Sequence, residues 1–599
     1  SLVLTLVLFA IGATMAQRTV SGKVTDTNGV PLIGASVLVK GTTTGTVTDI
    51  DGNYSLSLPE GANTLVFSYT GFSTQEVSVG TSNVVDLSME EAAEQLSEVV
   101  VTGLGIRKEK KALGYAVTTL GAKELELRPE ADVARVLRGK VPGVDITQTS
   151  GLAGSGTNVI IRGYSSISGT NQPLFVVDGV PFNSDTNNDR GFTGGGASAS
   201  SRFLDLDPNS IAEVSVLKGL SATVLYGEAG RNGVVLITTK NGNTQNLNKK
   251  MEITVDQSVF ANEIASLPDD QDLYGNGFHN TASAAFSNWG APFDQPNKNG
   301  LTNGTILHPY SRTALRDVFP QYQGARYEYK AYDNLQNFFE TGLINNTSIN
   351  IANRLAGGTA LNFNYGYRDE KGFVETSKYN KHNFGLGISS TLSNGIKVNS
   401  SFNYVTSTRT VPPSGTSTSS NPNSFTSLFS NIFYTPRSID LFGLEYEIPG
   451  THESIFYRGG NDIQHPLWTL YNSYEEEELG RFFGNVALSY DLTNWLNVSY
   501  RFGLDQYAQQ QQSLLNKGGR NVPDGLMNTS DRQNIITDHL LNFSFDYNIS
   551  EIFNLSGNFG ANLRRDTRET TFTNSNIQFV YGLFQHDNFI EHNNSTSVS

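Results

Sequence analysis

Beyond about residue 250 the chain alternates apolar and polar positions. In "LNFNYGYR", Leu361, Phe363, Tyr365 and Tyr367 share one face. "GIKVNSSFNYVTS" does the same with Ile396, Val398, Phe402 and Tyr404, after the turn "LSNG". "NVALSYDLTNWLNVSYRFGL" reads as a hairpin, with Val486, Leu488, Tyr490 and Leu492, then Leu496, Val498, Tyr500, Phe502 and Leu504. "LLNFSFDYNISEIFNLSGNFGANL" reads as another, with Leu541, Phe543, Phe545 and Tyr547 before its turn. Period-two segments of ~10 residues with aromatics near their ends suit strands that cross a bilayer. The pattern predicts about eight to ten of them. Long polar stretches, roughly 265–345 and 406–480, alternate with short turns, the asymmetry expected of outer loops and periplasmic turns. A soluble β-sandwich of the carbohydrate-binding or adhesin kind also needs a polar outer face. Adjacent hairpins with aromatic outer faces and no partner sheet argue against it.

The front of the chain has a different texture. "RTVSGKVTD" and "SVLVKGT" read as strands around the Asn-Gly turn of "TNGVPLIGA", and "GTVTDIDGNYSLSL" as a hairpin about Asp51-Gly52. "NTLVFSYTGFSTQEVSV" adds two strands, enough for a small sandwich. Asp49, Asp51 and Asn53 imitate a calcium loop but lack its distal glutamate, so a turn is expected there. Between 111 and 245 helix and strand signals mix, the mark of an α+β domain. "ELELRPEADVARVLRGKVPGV" has a proline near a helix start and Val133, Val136 and Leu137 at helical spacing. "IAEVSVLKGLSATVLYGEAGRNGVVLITTKNG" reads as strand, short helix, loop and strand. Asp178-Gly179 is expected to be a tight turn whose aspartate holds turn amides, not a catalytic carboxylate. Arg162 and Arg231 suit a buried ion pair between this domain and a surrounding wall, with anion binding as the alternative.

Composition narrows the function. With 42 Lys+Arg against 57 Asp+Glu the net charge is −15, unsuited to nucleic acid. There is no cysteine, hence no disulfide and no thiolate chemistry. No run after residue 20 is a membrane helix; a barrel needs none. "SLVLTLVLFAIGATMA" resembles a secretory signal with cleavage after Ala16. "GLAGSGTN" lacks the Lys-Ser/Thr ending of a phosphate-binding loop, and no HExxH occurs. The eight histidines are scattered, the nearest pair, His586 and His592, lying in a polar tail. No nucleophile–base pair, metal cluster or paired-carboxylate signature stands out, so the residues themselves do not point to an enzyme.

One octet stands alone. "LSEVVVTG" (Leu96, Ser97, Glu98, Val99, Val100, Val101, Thr102, Gly103) lies between the acidic "MEEAAEQ" and the basic "RKEKK". An exposed β-prone segment can add itself to the edge of a partner sheet, and flanking charge keeps it from self-association. The alternative is a strand of the following domain.

These segments resemble known families. "SGKVTDTNGVPLIGASVLVKGTTTGTVTDIDGNYSL" is similar to the carboxypeptidase-regulatory-like domain, a transthyretin-type β-sandwich without peptidase chemistry. "LRGKVPGVDITQ", "VIIRGYSSISGTNQPLFVVDGVPF" and "EVSVLKGLSATVLYGEAGRNGVVLITTKNG" resemble the plug of SusC/RagA-like TonB-dependent outer-membrane transporters. The plug motif then comprises Arg162, Gly163, Asp178, Gly179, Pro181, Tyr226, Gly227, Asn232 and Gly233. The resemblance places the TonB box at the octet. It implies import of oligosaccharides, or of peptides, powered by TonB with ExbB–ExbD and assisted by a SusD-like surface lipoprotein as a lid. A stand-alone siderophore or cobalamin receptor and a non-transporting adhesin are the alternatives. The organisation expected is a signal over 1–16, a transthyretin-like β-sandwich over 17–90, a TonB-box linker over 91–110, a plug over 111–245 and a transmembrane barrel from 246 to 599, mainly β throughout. Because "NNSTSVS" brings no closing aromatic strand, the barrel is expected to be incomplete and the chain an N-terminal fragment. An open edge is untenable in lipid, so the chain alone is not expected to insert as a working pore. Sugar stacking on Trp289 or Trp468 is conceivable, as is a place for either in an interfacial girdle.

Overall fold

The computed structural model describes residues 18–90, 99–101, 107–109, 117–184, 200–240 and 251–599, except 28, 43, 60–61, 70–71, 126–129, 131, 168–169, 219–225, 356–357, 414–427, 461–462, 521 and 551–552. The signal segment, most of the TonB-box octet and the linker lie outside the described residues.

The front unit holds β1 (Arg18–Asp26), β2 (Ser36–Val39), β3 (Gly45–Val47), β4 (Asn53–Leu58), β5 (Thr64–Ser68), β6 (Gln75–Ser78) and β7 (Leu87–Met89). One sheet runs β4-β1-β7 and the other β3-β2-β5-β6. Alternate residues turn inward, so Val20, Val24, Val37, Val39, Leu65, Phe67 and Met89 are fully buried. Tyr54 meets Phe67 edge to face at 5.5 Å. The expected hairpin about Asp51-Gly52 is instead a corner between the sheets, because β3 pairs with β2 while β4 pairs with β1. Asp-Gly fixes a turn; it does not choose the partners of the strands on either side. Asp49 Oδ1 accepts from Asp51 N and Asn53 N at 2.9 and 2.8 Å, which is the turn reading of this stretch.

A two-stranded ribbon follows, β8 (Val99–Val101) with β9 (Arg107–Glu109). The second unit begins with β10 (Val117–Gly121), β11 (Val144–Gln148), β12 (Thr157–Ile161), β13 (Leu174–Val177), β14 (Val180–Phe182), β15 (Ile211–Leu217) and β16 (Val234–Thr239). The mixed sheet β10-β15-β16-β13-β14 carries the α+β plug, beside the ladder β11-β12. The short helix Val133–Val136 starts at Asp132, whose Oδ1 accepts from Ala134 N at 2.7 Å, and it buries Val133, Val136 and Leu137 as their spacing predicts.

Ten strands form the wall. After β17 (Met251–Asn262) the chain makes the small outer-loop pairs β18 (Gly277–Phe278) with β19 (Thr281–Ala282), and β20 (Thr305–Leu307) with β21 (Arg326–Glu328). Then come β22 (Gly342–Arg354), β23 (Ala360–Lys371), β24 (Lys378–Thr391), β25 (Lys397–Val411), β26 (Ser473–Thr493), β27 (Leu496–Leu515), β28 (Leu526–Asn548), β29 (Asn554–Gln578) and β30 (Phe589–Val598). They pair antiparallel in the order β17-β22-β23 and onward to β30. Outward positions carry the predicted apolar set, among them Phe363, Tyr404, Leu488, Tyr490, Tyr500, Leu541 and Tyr547, all exposed. Inward positions are polar and buried, for example Asn362, Asn364, Asn403, Asn485 and Asp505. That is the alternation of a barrel wall, apolar on its outer side and polar where it meets the plug. Most of the strands are longer than the ~10 residues a bilayer needs; β28 and β29 have 23 and 25. The outer loops are correspondingly shorter than expected, 263–341 and 412–472. They pack together on a core that includes Tyr310, Phe319, Ile439, Ile455, Phe456 and Tyr457.

Candidate functional site

The plug is fixed to the wall by a ladder of alternating charges. Arg481 projects inward from β26 and is fully buried. Its Nη1 donates to Asp205 Oδ2 of the plug at 2.7 Å, and its Nε and Nη2 donate to Asp505 of β27 at 2.8 and 2.7 Å. Nη2 also reaches the Asn183 carbonyl at 3.0 Å. The guanidinium lies 3.4 Å from the ring centroid of Phe182, so the plug supplies both a carboxylate and an aromatic face. Asp205 stands 3.6 Å from Arg202, whose Nη2 donates to Glu477 of β26 at 2.7 Å. The order is therefore Asp505–Arg481–Asp205–Arg202–Glu477, wall to plug to wall. Every member is buried, which a charged group tolerates only when paired and hydrogen-bonded.

Further hydrogen bonds extend the grip. Lys381 of β24 donates from Nζ to the plug carbonyls of Leu204 and Leu206 at 2.8 and 3.3 Å. Arg409 Nε donates to the Ala153 carbonyl at 2.9 Å. Asn183 N donates to Asp505 Oδ2, and Asn183 Nδ2 to Asn534 Oδ1, each at 3.0 Å.

The plug-motif residues divide by role. Asp178 and Gly179 both have positive φ, 48° and 84°, and join Val177 to its partner Val180 in a two-residue turn. Asp178 Oδ1 accepts from Thr239 N at 2.9 Å, and Oδ2 from Thr239 Oγ1 and Ser401 Oγ at 2.6 and 2.7 Å. The aspartate thus holds an amide of β16, not of its own turn, and reaches the wall as well. Its burial pushes the carboxyl above its ordinary pKa. Pro181 is buried in β14. Asn232 is buried; its Nδ2 donates to the carbonyls of Thr170 and Gln172, and its Oδ1 accepts from Ser165 Oγ at 2.6 Å. Gly163, Gly227 and Gly233 have positive φ, and Tyr226 is half-buried.

Two expectations are corrected. Arg162 and Arg231 are exposed, and Arg231 pairs with its neighbour Glu228 at 3.1 Å. The buried plug-to-wall pairs are made by Arg202 and Arg481 instead. Trp468 offers no stacking face and belongs to no girdle; it is buried in the loop core and donates from Nε1 to the His452 carbonyl at 2.8 Å. Trp495, at the short β26–β27 turn, packs edge to face on Tyr547 at 5.6 Å. His586 and His592 are brought together: each points Nδ1 at Ser575 Oγ at 2.8 Å. No group of three or more His, Cys, Asp or Glu able to hold a metal occurs among the described residues.

Of the TonB-box octet, Val99, Val100 and Val101 are described. They form β8, which pairs with β9 and is no part of the plug sheet among the described residues.

Comparison with known proteins follows the same division. The CarboxypepD_reg-like domain matches residues 20–101 and the TonB-dependent Receptor Plug Domain residues 109–234. TonB-dependent receptor SusC of Bacteroides thetaiotaomicron is 38% identical over 236 residues, covering 39% of this chain and 22% of SusC. In these two domains the chain is similar to SusC-like TonB-dependent receptors. TonB-dependent receptor P26 of Formosa agariphila is 31% identical over 364 residues, 59% of this chain and 35% of P26. The chain thus spans well under half the length of the curated relatives it matches. Its fold is shared with the RagAB peptide importer in the "open-open" state, at a TM-score of 0.62 and 18% identity, over 84% of this chain and 53% of that one.

Proposed function

We propose that this receptor imports oligosaccharides, or peptides, across the outer membrane, drawing energy from TonB with ExbB–ExbD and using a SusD-like surface lipoprotein as a lid. Its front domain stands in the periplasm and its wall in outer-membrane lipid. The observation that carries the reading is a β-prone segment ahead of a plug held by polar bonds. A plug fixed by a charge ladder can be released by tension and re-formed, whereas a wholly apolar interface would have to expose hydrocarbon to water. Val99–Val101 takes the extended backbone that pairing with a partner sheet needs. The plug and wall do positioning and gating, and no catalytic role is assigned to them.

The test is Val100→Pro in the receptor expressed in cells. The substitution removes one amide donor from the partner-facing segment. Uptake should stop while insertion and surface display persist; undiminished uptake would refute the TonB assignment. Gentle extraction from outer membranes should also bring down a stoichiometric lipoprotein. Its absence from a folded barrel would favour a stand-alone receptor.

A further inference from the structure

The stretch from Leu273 to Phe293 contains no Asp, Glu, Lys or Arg, in a chain with 99 such residues among 599. It also presents aromatic side chains to solvent on the outer-loop body. Trp289 is 52% exposed, Phe286 48% and Phe278 39%. The rings are held in pairs: Phe278 meets Phe286 edge to face at 5.6 Å, and His279 lies 4.6 Å from Trp289. Phe278 and His279 are adjacent, so both pairs hang on one turn.

That turn is built, not loose. His279 and Asn280 both adopt positive φ, 53° and 57°, at the tip of the β18–β19 pair. Two non-glycine residues in this region cost energy that the surroundings must supply. The surroundings do so through close backbone packing. Gly277 and Gly290 approach so nearly that a Cβ on Gly277 would stand 2.9 Å from the Gly290 Cα, and one on Gly290 would overlap the Asn276 carbonyl. Asn276 is fully buried, its amide donating to Ser438 Oγ at 2.7 Å and its carbonyl accepting from Tyr329 Oη at 2.9 Å. Arg437, tied to Asp272 and Asp333, donates from its backbone N to Asn288 Oδ1 at 2.8 Å. Exposed Trp289 is therefore carried on a floor fixed from two loops.

Between Tyr274 and Phe293 there is no Leu, Ile, Val or Met; the residues separating the rings are Gly, Ala, Ser, Thr, Asn and one Pro. Resting on the transport reading above, we infer that the Phe278–Phe286/His279–Trp289 platform is a surface capture site for a neutral oligosaccharide. A sugar presents a face of C–H bonds to an aromatic ring and hydroxyls to flanking amides, and exposed Asn280 and Asn288 supply those. The stretch itself offers a charged peptide no complementary charge; the Arg458 guanidinium lies 5.3 Å over the Phe286 ring, so the His279–Trp289 pair is the uncharged face of the platform. The exposed rings are interspersed with polar groups and do not form one continuous apolar patch of the kind that marks a protein interface.

The experiment uses outer-membrane vesicles bearing the receptor, in which binding occurs without energised uptake. Maltoheptaose, cellohexaose, laminarihexaose and xylohexaose are titrated, with a tryptic casein digest as the peptide probe. At least one neutral oligosaccharide should bind, and Trp289→Ala should weaken it about tenfold. Phe286→Ala should weaken it less, and both variants should show unaltered heat-modifiability. If none of the oligosaccharides binds, if their binding survives both substitutions, or if only peptides bind, the inference fails. Loss of a co-purifying lipoprotein in Trp289→Ala with glycan binding unchanged makes the platform a protein interface and also overturns it. None of these results bears on TonB coupling, which Val100→Pro reads in cells.

Discussion

The guanidinium of Arg501, on β27, occupies the space where a side chain at Gly179 would begin: a Cβ there would overlap Arg501 Nη1. Arg501 in turn holds Asp538 at 3.2 Å. The glycine therefore serves twice, giving the turn its φ of 84° and letting the plug tip press on a wall arginine. Gly179→Ala should destabilise the docked plug by about 2 kcal/mol, from backbone strain and displacement of Arg501. Limited trypsin digestion of the receptor in detergent checks this: plug fragments should appear earlier while the wall stays resistant.

Removing the centre of the charge ladder should cost more. Arg481→Met leaves Asp205 and Asp505 buried without their shared partner, a loss of about 3–5 kcal/mol. Cells should become permeable to large antibiotics that an occupied barrel excludes. Arg481→Lys should rescue little, because one ammonium cannot reach both carboxylates in the forked geometry and also lie flat on Phe182. Vancomycin sensitivity ranks the three proteins.

The outer loops should loosen in acid. His465 is fully buried beside Phe456, its Nδ1 accepting from Leu467 N at 3.1 Å, and burial lowers its pKa to about 3. His308, stacked on Tyr322 at 3.9 Å, is lowered to about 4 by burial. Both stay neutral when folded, while the unfolded loops bind protons near the ordinary value of about 6.5. The stability they contribute is complete above that value and is lost as pH falls toward 4 and then 3. Hydrogen exchange in residues 428–472 should rise over that window. His465→Asn, which keeps an acceptor for the Leu467 amide, should flatten the response.

Calcium should not stabilise the front domain. The Asp49 carboxylate already accepts two backbone amides, which hold its pKa below the usual range. A melting temperature unchanged by millimolar calcium is the expected outcome; a clear upward shift would reopen the metal reading.

The wall was legible in the chain because its information is local. Phe363 and Tyr365, or Leu488 and Tyr490, declare their face by alternation within a few residues. The charge ladder was not, because Arg202 and Glu477 are 275 residues apart and Arg481 and Asp205 276. Parity did hold a clue: Glu475, Glu477 and Arg481 sit on the face opposite to Phe482 and Leu488, where charge must find a partner within the lumen. Asp51-Gly52 failed in the opposite way. It marks a sharp turn faithfully, yet the choice between hairpin and corner is made by β1 and β2, which lie earlier in the chain.

The length of β29 has a consequence for whatever sits on the cell surface. Twenty-five residues at ~3.3 Å, tilted ~45°, climb on the order of 60 Å, against ~30 Å of hydrocarbon. Half of that height is parapet. If the proposed lipoprotein lid is anchored by acyl chains in the same leaflet, it must clear that height before it can close, and its tether then needs roughly nine extended residues between lipid and first folded domain. A shorter leash would leave the lid stranded at the foot of the wall, however well its surface matched the loops above.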